Sequence, residues 1–559
     1  MDAIIAETVT QAEEPVGDLL ARALADIGVT HAFGVISIHN MPILDAIARQ
    51  GRIRFVPARG EAGAMSMADA HARVTRGLGV CITSTGTAAG NAAGAQVEAL
   101  TAGSPVLHIT TQIDRPFMDR DRAAIHDVPR QPDMLKAISK AYVRAWEPAA
   151  AVDALLAAAQ AALSAPRGPV AFEIPVDVQR LPARSRAQPA RIAPQGVQPS
   201  GALLDSLAET ILAARRPMLW LGGGARGAAA AATALVERGI GAVTSTQGRA
   251  VVPEGHRWSL GAFNMTPAAQ EIYAASDLML VVGSRLRGNE TRNNAMRLPR
   301  LVQADADPTQ AGRNYPVELF VAGDARLVLE GLLQRLPARL ATDTQFLDSI
   351  GTARASGEAA LLRSLGPYAA VAQQISDRVG TGALPWVRDV TISNSTFGNR
   401  FVRLAAPHLG VHALGGGIGQ GIAMGIGAGL AGAGKAVTLV GDGGAQLSLG
   451  EFATAVESKA EVVFLLMNDR GYGVIRNIQD AQYGGRQHYA SILTPDFALI
   501  AAAMGLAHAR VTRVEDFAAA FDAALATPGP QMIELDMIAI GPFAESFAGP
   551  PAGAAGSVR

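Results

Sequence analysis

The stretch Val437-Thr438-Leu439-Val440-Gly441-Asp442-Gly443-Gly444 is an apolar run that stops abruptly in a glycine turn. A helical pattern follows over Leu449–Val456. A second apolar run, Val462–Met467, then ends in Asn468-Asp469-Arg470-Gly471-Tyr472-Gly473. Two short β-branched runs separated by a helix read as neighbouring parallel strands. In such sheets ligands bind beyond the carboxyl ends of the strands, where both polar turns fall. Gly441 ends the first strand, and Gly443 and Gly444 let backbone N–H groups approach phosphate oxygens near the positive end of the following helix. Asp442 and Asp469 offer carboxylate oxygens and Gly471 offers a carbonyl. That donor set suits Mg2+, which prefers six oxygens, with a diphosphate and water completing the shell. The pattern predicts a metal-bound diphosphate held by two strand ends. The simpler alternative is that each Asp only caps its own loop.

The same alternation runs outward in both directions. Residues 12–185 carry strand-like runs at Ala32–Val35, Phe55–Pro57, Gly79–Thr83, Val106–Thr110 and Val170–Glu173, with helical stretches between them. A Pro/Gln/Arg-rich linker, Leu181–Pro199, precedes a second block over 200–338, with strands at Met218–Gly222, Leu278–Gly283 and Leu301–Asp305. Residues 340–365 read as a connection. The third block, 366–545, has strands at Thr391–Ser393, Ala436–Val440, Val462–Met467 and Gln531–Leu535. This predicts an α/β protein of three consecutive open parallel-sheet domains. The Gly/Ala-rich tail from Pro550 to Arg559 reads as mobile.

Composition narrows the function class. Of 559 residues, 49 % are hydrophobic and 17 % charged, which is ample for several cores. The formal net charge of −1 gives no reason to expect nucleic acid or an anionic membrane as partner. The apolar runs are much shorter than the roughly 20 residues of a membrane span. The acidic N-terminus lacks a basic segment followed by an apolar one, so a secretory signal is not expected and a cytoplasmic location is. The one cysteine, Cys81, sits within an apolar run and reads as buried rather than catalytic.

The quoted motif resembles the signature of thiamine-diphosphate enzymes, particularly the acetolactate-synthase/pyruvate-decarboxylase superfamily. That family usually has Asn-Asn where this chain has Asn468-Asp469, and the metal ligand aligns with the second of the pair. The resemblance extends over nearly the whole chain. Leu414-Gly415-Gly416-Gly417-Ile418-Gly419 is similar to the segment that holds the cofactor's aminopyrimidine. By that match the Gly416 carbonyl accepts from the 4′-amino group and Ile418 wedges between the two rings. Asn394–Gly398, with Thr396 at its centre, loosely matches the family's other diphosphate loop, and Tyr472 adjoins the cofactor. The domains are then a pyrimidine-binding domain (12–185), a central Rossmann-like domain (200–338) and a diphosphate-binding domain (366–545).

Phe55-Val56-Pro57-Ala58-Arg59-Gly60-Glu61 resembles the family's strand–Glu–helix segment. Its downstream neighbours Met67–Arg73 and Thr85–Asn91 also match the family pattern without gaps. The resemblance makes Glu61 the carboxylate that binds N1′ of the pyrimidine and so promotes removal of the C2 proton. It also implies that Glu61 and the diphosphate site around one cofactor come from different chains, giving a homodimer at minimum and commonly a homotetramer. Phe33–Asn40 aligns with a loop facing the thiazolium, which makes Ile36, His39 and Asn40 pocket candidates. Imidazole suits substrate-carboxylate binding or proton transfer. Ile125-His126-Asp127 stands where acetolactate synthases carry Phe-Gln-Glu, so His126 joins His39 as a candidate catalytic group. Gln112 and Arg476 are further substrate candidates; His71 and His108 read as structural.

These departures resemble side branches of the family, the guanidino-oxoacid decarboxylases and cyclohexane-1,2-dione hydrolase. The implied activity is decarboxylation or acyloin-type carboligation of a 2-oxo acid or 1,2-dione through a carbanion at C2. Hydrolytic opening of a cyclic 1,2-dione and a non-catalytic cofactor-binding protein are the alternatives. Glu61 argues against the last. A CoA-thioester decarboxylase would want a basic C-terminus, where only Arg559 stands. The central domain of the family binds FAD, binds ADP or is empty, and Gly222–Gly224, Gly283–Arg285 and Asp305–Asp307 mark the corresponding edge.

Overall fold

The computed structural model describes residues 12–186, 188–547 and 549. The tail expected to be mobile and the first eleven residues lie outside them. The chain divides into two compact units: one runs to residue 195 apart from 73–76, and the other holds 73–76 and residues from 196 onward.

The first unit is built on six strands: β1 (His31–Gly34), β2 (Arg54–Pro57), β3 (Gly79–Thr83), β4 (Val106–Gln112), β5 (Ala141–Arg144) and β6 (Val170–Pro175). They lie in the order β2-β1-β3-β4-β6-β5, and every pairing is parallel. The central strands β3, β4 and β6 are buried along their whole length, as expected for a sheet covered on both faces. Leu20, Ile82, Ile109, Leu155 and Phe172 belong to one core against a face of this sheet. β5 was not legible in advance, because Ala-Tyr-Val-Arg is half-exposed at every position.

The second unit carries two sheets. The first has β7 (Pro217–Leu221), β8 (Gly241–Thr244), β9 (Leu278–Val282), β10 (Leu301–Asp305) and β11 (Leu319–Ala322), ordered β8-β7-β9-β10-β11 and parallel throughout. The other has β12 (Trp386–Arg388), β13 (Gly410–His412), β14 (Ala436–Gly441), β15 (Val462–Asn468), β16 (Ala507–Val511) and β17 (Gln531–Asp536). Its order is β13-β12-β14-β15-β17-β16, also parallel. The two decisive runs are therefore adjacent strands, in register from Ala436↔Val462 to Gly441↔Met467.

Two expectations are corrected. Thr391–Ser393 is not a strand. The strand ends at Arg388, and the Thr391 hydroxyl accepts the Asn394 N–H at 3.0 Å, opening the helical turn Asn394–Gly398. Residues 340–365 are not a plain connection but contain the helix Thr344–Leu365. Asp343 caps it by accepting from Gln345 and Phe346, and it buries Phe346, Leu347 and Ile350 in one core with Trp220 and Tyr273 of the central domain. Among the described residues no helix is long and apolar enough to cross a membrane.

Candidate active site

At the carboxyl edge of the third sheet, β14 runs out at Gly441 and a short helical turn, Asp442–Ala445, begins at once. Asp442 is fully buried. Its Oδ2 accepts the Gly471 N–H at 2.8 Å and the Thr494 hydroxyl at 2.9 Å, while its Oδ1 is shielded from water and has no hydrogen-bond partner among the described residues. A buried carboxylate oxygen left unpaired is costly, and a bound cation removes that cost. Asp469, at the end of β15, lies close enough to Asp442 for the two charges to interact. Burial, opposed by Arg476 and reinforced by Asp442, pushes its carboxyl up to about 7. Two carboxyl groups this close together suit a divalent cation.

The glycines here are demanded by close approach. A Cβ on Gly443 would lie 2.7 Å from the Tyr472 ring and 2.9 Å from the Gly471 carbonyl oxygen. Gly471 itself has φ +142°, and a Cβ there would come 2.5 Å from the Ala490 carbonyl. Asp442, Gly443, Asp469, Gly471 and Tyr472 are thus brought together. Asn468 is turned away, with its amide donating to Glu534 at 2.7 Å.

The strip after β13 is a third loop at this edge. Gly416 has φ +85°, and nothing lies within 4 Å of where a Cβ would stand. Ile418 is 39 % exposed, high for an isoleucine among glycines and consistent with a side chain that awaits a partner. The strip is anchored by Asp389, which sequence reading did not single out. Fully buried just past β12, Asp389 accepts from the Gly419 N–H through Oδ2 at 2.9 Å, and a Cβ on Gly444 would lie 3.0 Å from that same oxygen. Burial raises its carboxyl to about 6 against these backbone donors. Thr396 is engaged locally, its hydroxyl donating to the Ile392 and Ser393 carbonyls. Ser393 Oγ, Asn394 Oδ1, Gln420 Oε1, Gln446 Nε2 and Ser448 Oγ, on the surrounding loops, are shielded and have no hydrogen-bond partner among the described residues. Such a set of idle polar atoms fits a polyanionic ligand with a cation. Asn394 falls in the loosely matched Asn394–Gly398 loop; the other four side chains belong to no motif that would single them out.

Arg476, a substrate candidate, is otherwise occupied. It pairs with Asp469 Oδ2 at 3.0 Å and donates to the Asp469 and Arg470 carbonyls at 2.7 and 3.1 Å.

In the first unit, Glu61 opens the helix Glu61–Thr75 just past β2, and Asn91 donates to it at 3.1 Å. On the loop after β1, His39 is 5 % exposed. Its Nδ1 lies 3.4 Å from both His126 Nδ1 and Ser84 Oγ, and the two rings meet edge to face. Burial and the neighbouring His126 lower the His39 pKa, so the ring stays neutral over more of the pH range. His126 holds a left-handed φ of +68° and packs on Gly86, where a Cβ would come 2.4 Å from the His126 carbonyl oxygen. Sequence reading placed both histidines in one pocket, and the structure brings them into contact.

Asn40 and Gln112 do not face outward. Asn40 accepts the Ser37 N–H and donates to the Val35 carbonyl, holding the loop that presents Ile36, which is 62 % exposed. Gln112 accepts from Thr85 and from the Ile113 N–H within a buried network that includes Glu173 and Gln131. His108 bonds to Thr83 and Gln96, and burial lowers it to about 4; burial, aided by His31, takes His71 to about 4 as well. Cys81 is buried and its thiol is pushed up by burial.

In the central domain, the Gly222 and Gly224 N–H groups donate to the Val282 and Gly283 carbonyls, and a Cβ on Gly222 would lie 2.2 Å from the Gly283 carbonyl oxygen. That turn packs directly against the end of β9.

Three open parallel-sheet domains, with two carboxyl groups and close-packed glycines at the strand ends of the last, define an α/β protein of cofactor-binding type, and sequence comparison sharpens the class. The chain belongs to the thiamine-diphosphate enzymes. Residues 15–134 match the family described as thiamine pyrophosphate enzyme, N-terminal TPP binding domain; residues 204–332 match its central domain and 392–535 its C-terminal TPP binding domain. It is 32 % identical over 532 residues to a probable 2-ketoarginine decarboxylase of Pseudomonas aeruginosa, covering 93 % of each chain. It is 26 % identical to the acetolactate synthase large subunit of Corynebacterium glutamicum, over 89 % of this chain and 82 % of that one. It is also 28 % identical to an acetolactate synthase of Mycobacterium bovis, over 89 % and 83 %.

Proposed function

We propose that this protein is a thiamine-diphosphate and Mg2+-dependent 2-oxo acid decarboxylase, with carboligation of the product to a second carbonyl as the neighbouring reaction. The observation that carries it is the buried Oδ1 of Asp442, without a hydrogen-bond partner among the described residues, with the Asp469 carboxyl close enough to interact. When bound, the cofactor supplies a nucleophilic carbon that adds to the substrate carbonyl and takes up the electrons of the broken bond. Asp442, Asp469 and Gly471 hold the cation; Gly443 and Gly444 line the diphosphate. Gly416 and Ile418 position the pyrimidine ring. Glu61 holds a proton at N1′ of that ring. Neutral His39, with His126 against it, exchanges a proton with the substrate oxygen.

Asp127 supports a substrate with a cationic tail. Its Oδ2 is shielded and has no hydrogen-bond partner among the described residues, and burial together with Asp121 and Asp119 raises its pKa, so a cation there would be welcome. The similarity to a probable 2-ketoarginine decarboxylase points the same way.

The proposal keeps the domain spans 12–185, 200–338 and 366–545 and a homodimer as the smallest active unit. Exposed Ile36, Ile38 and Ile125 in the first unit and Ile418 and Leu447 in the second support association. Whether the central domain holds FAD is read directly by a visible absorption spectrum of the purified protein.

The test is a panel of 2-oxo acids with guanidino, amino and alkyl tails, and a cyclic 1,2-dione, with thiamine diphosphate and Mg2+. CO2 release, fastest from the guanidino substrate, is expected. Consumption of the dione without CO2 from any 2-oxo acid would replace this reading with hydrolytic ring opening.

A further inference from the structure

The metal-edge loop carries one more negative charge than the pattern it resembles, since Asp469 stands where an asparagine is usual. Two carboxylates then face a ligand whose phosphates are themselves anionic at neutral pH. Arg476 answers that charge. It lies on the helix Gly473–Gln482, directly after the loop, and reaches back to Asp469 Oδ2 at 3.0 Å. Both side chains are largely shielded, at 20 % and 17 % exposure, so solvent screens the pair only in part. Arg476 is the cation acting on Asp469, opposing both burial and the Asp442 charge. The glycine spacing serves the same contact. A Cβ on Gly473 would lie 1.7 Å from Asp469 Oδ2, and one on Gly471 would lie 2.8 Å from Arg476 Nη1. The loop is therefore shaped around this ion pair.

We propose that Arg476 is the built-in counter-charge of Asp469, a positioning residue that lets a two-carboxylate loop accept a cation–diphosphate ligand. The proposal rests on the reading of Asp442 and Asp469 as cation ligands. It separates Arg476 from substrate binding and makes its importance conditional on the charge at position 469.

A double-mutant cycle tests this, read as the dissociation constant of thiamine diphosphate at fixed Mg2+ by calorimetry, and as Mn2+ binding by electron paramagnetic resonance. Arg476→Gln is expected to weaken cofactor binding on the order of tenfold in the parental chain, but by no more than about twofold when Asp469→Asn is also present, as for interacting neighbours. Equal losses in both backgrounds would assign Arg476 to holding the Asp469 and Arg470 carbonyls instead and overturn the proposal, as would no loss in the parent. Arg476→Lys, which keeps the charge, should stay near parental affinity. If Arg476→Gln fails to fold, Arg476→Met read in the same two backgrounds decides: a loss confined to the chain that keeps Asp469 supports the counter-charge, and equal losses with and without Asp469→Asn overturn it. Asp442→Asn stands apart as the control. If it leaves both Mn2+ and cofactor binding intact, the metal-site reading itself fails, whatever the cycle shows.

Discussion

Under the proposed function, replacing Glu61 tests cofactor activation and replacing Asp127 tests substrate choice. Glu61 sits at a helix start with Asn91 donating to it, so Glu61→Gln keeps the shape and removes the charge. Turnover should fall by a factor on the order of 10² or more, the usual scale of a lost general acid–base group. Thiamine diphosphate affinity, measured by calorimetry, should change only a few-fold. Turnover within threefold of the parent would remove Glu61 from the reaction. Asp127→Asn keeps an acceptor but deletes the charge that would meet a cationic tail. Its kcat/KM should drop about tenfold for a guanidino 2-oxo acid, the loss of one charge-assisted contact, and hardly at all for an alkyl one. An equal drop for both would show that Asp127 only supports the His126 loop.

The loops that matter are held by strand ends, and this is where legibility in the sequence varied. β14 and β15 were readable to within a residue because a fully buried parallel strand must be a continuous apolar run. The edge strands β8, β11, β13 and β16 were not. They are short or half-exposed, as in Ala-His-Ala-Arg-Val, and β pairing rather than local pattern defines them. Gly443 and Gly471 announced a tight turn, but Asp389 had no motif, since its role is to accept N–H groups some thirty positions away. That role has a measurable signature. Its folded pKa of about 6 lies above the ordinary 3.8, so the unfolded chain ionises first and folding loses stability as pH rises between those values. The effect is at most a few kcal/mol at about 1.4 kcal/mol per pKa unit. Asp389→Asn should flatten the change in urea midpoint between pH 4 and 6. An unchanged slope would show that the carboxyl is not protonated in the fold.

At the scale of the whole molecule, the two halves of the reading lie in separate compact units, Glu61 in one and Asp442 in the other. The family pattern assembles them from two chains. The sequence could suggest this only by resemblance, because no local signal states which copy of a residue meets which copy of another. A mixing experiment does state it. Glu61→Gln and Asp442→Asn are each expected to be inactive alone, for different reasons. If a site takes Glu61 from one protomer and Asp442 from its partner, a mixed dimer places both lesions in one site and leaves the other intact. Random re-pairing of equal amounts makes about half of the dimers mixed, so activity should return to about a quarter of the parental level in a closed two-fold dimer. If each chain builds its own site, every site in the mixture carries one lesion and no activity returns at any ratio. Dilution supplies the second arm: specific activity should fall as protomers separate, in step with the loss of the dimer by light scattering, and should be restored on concentration.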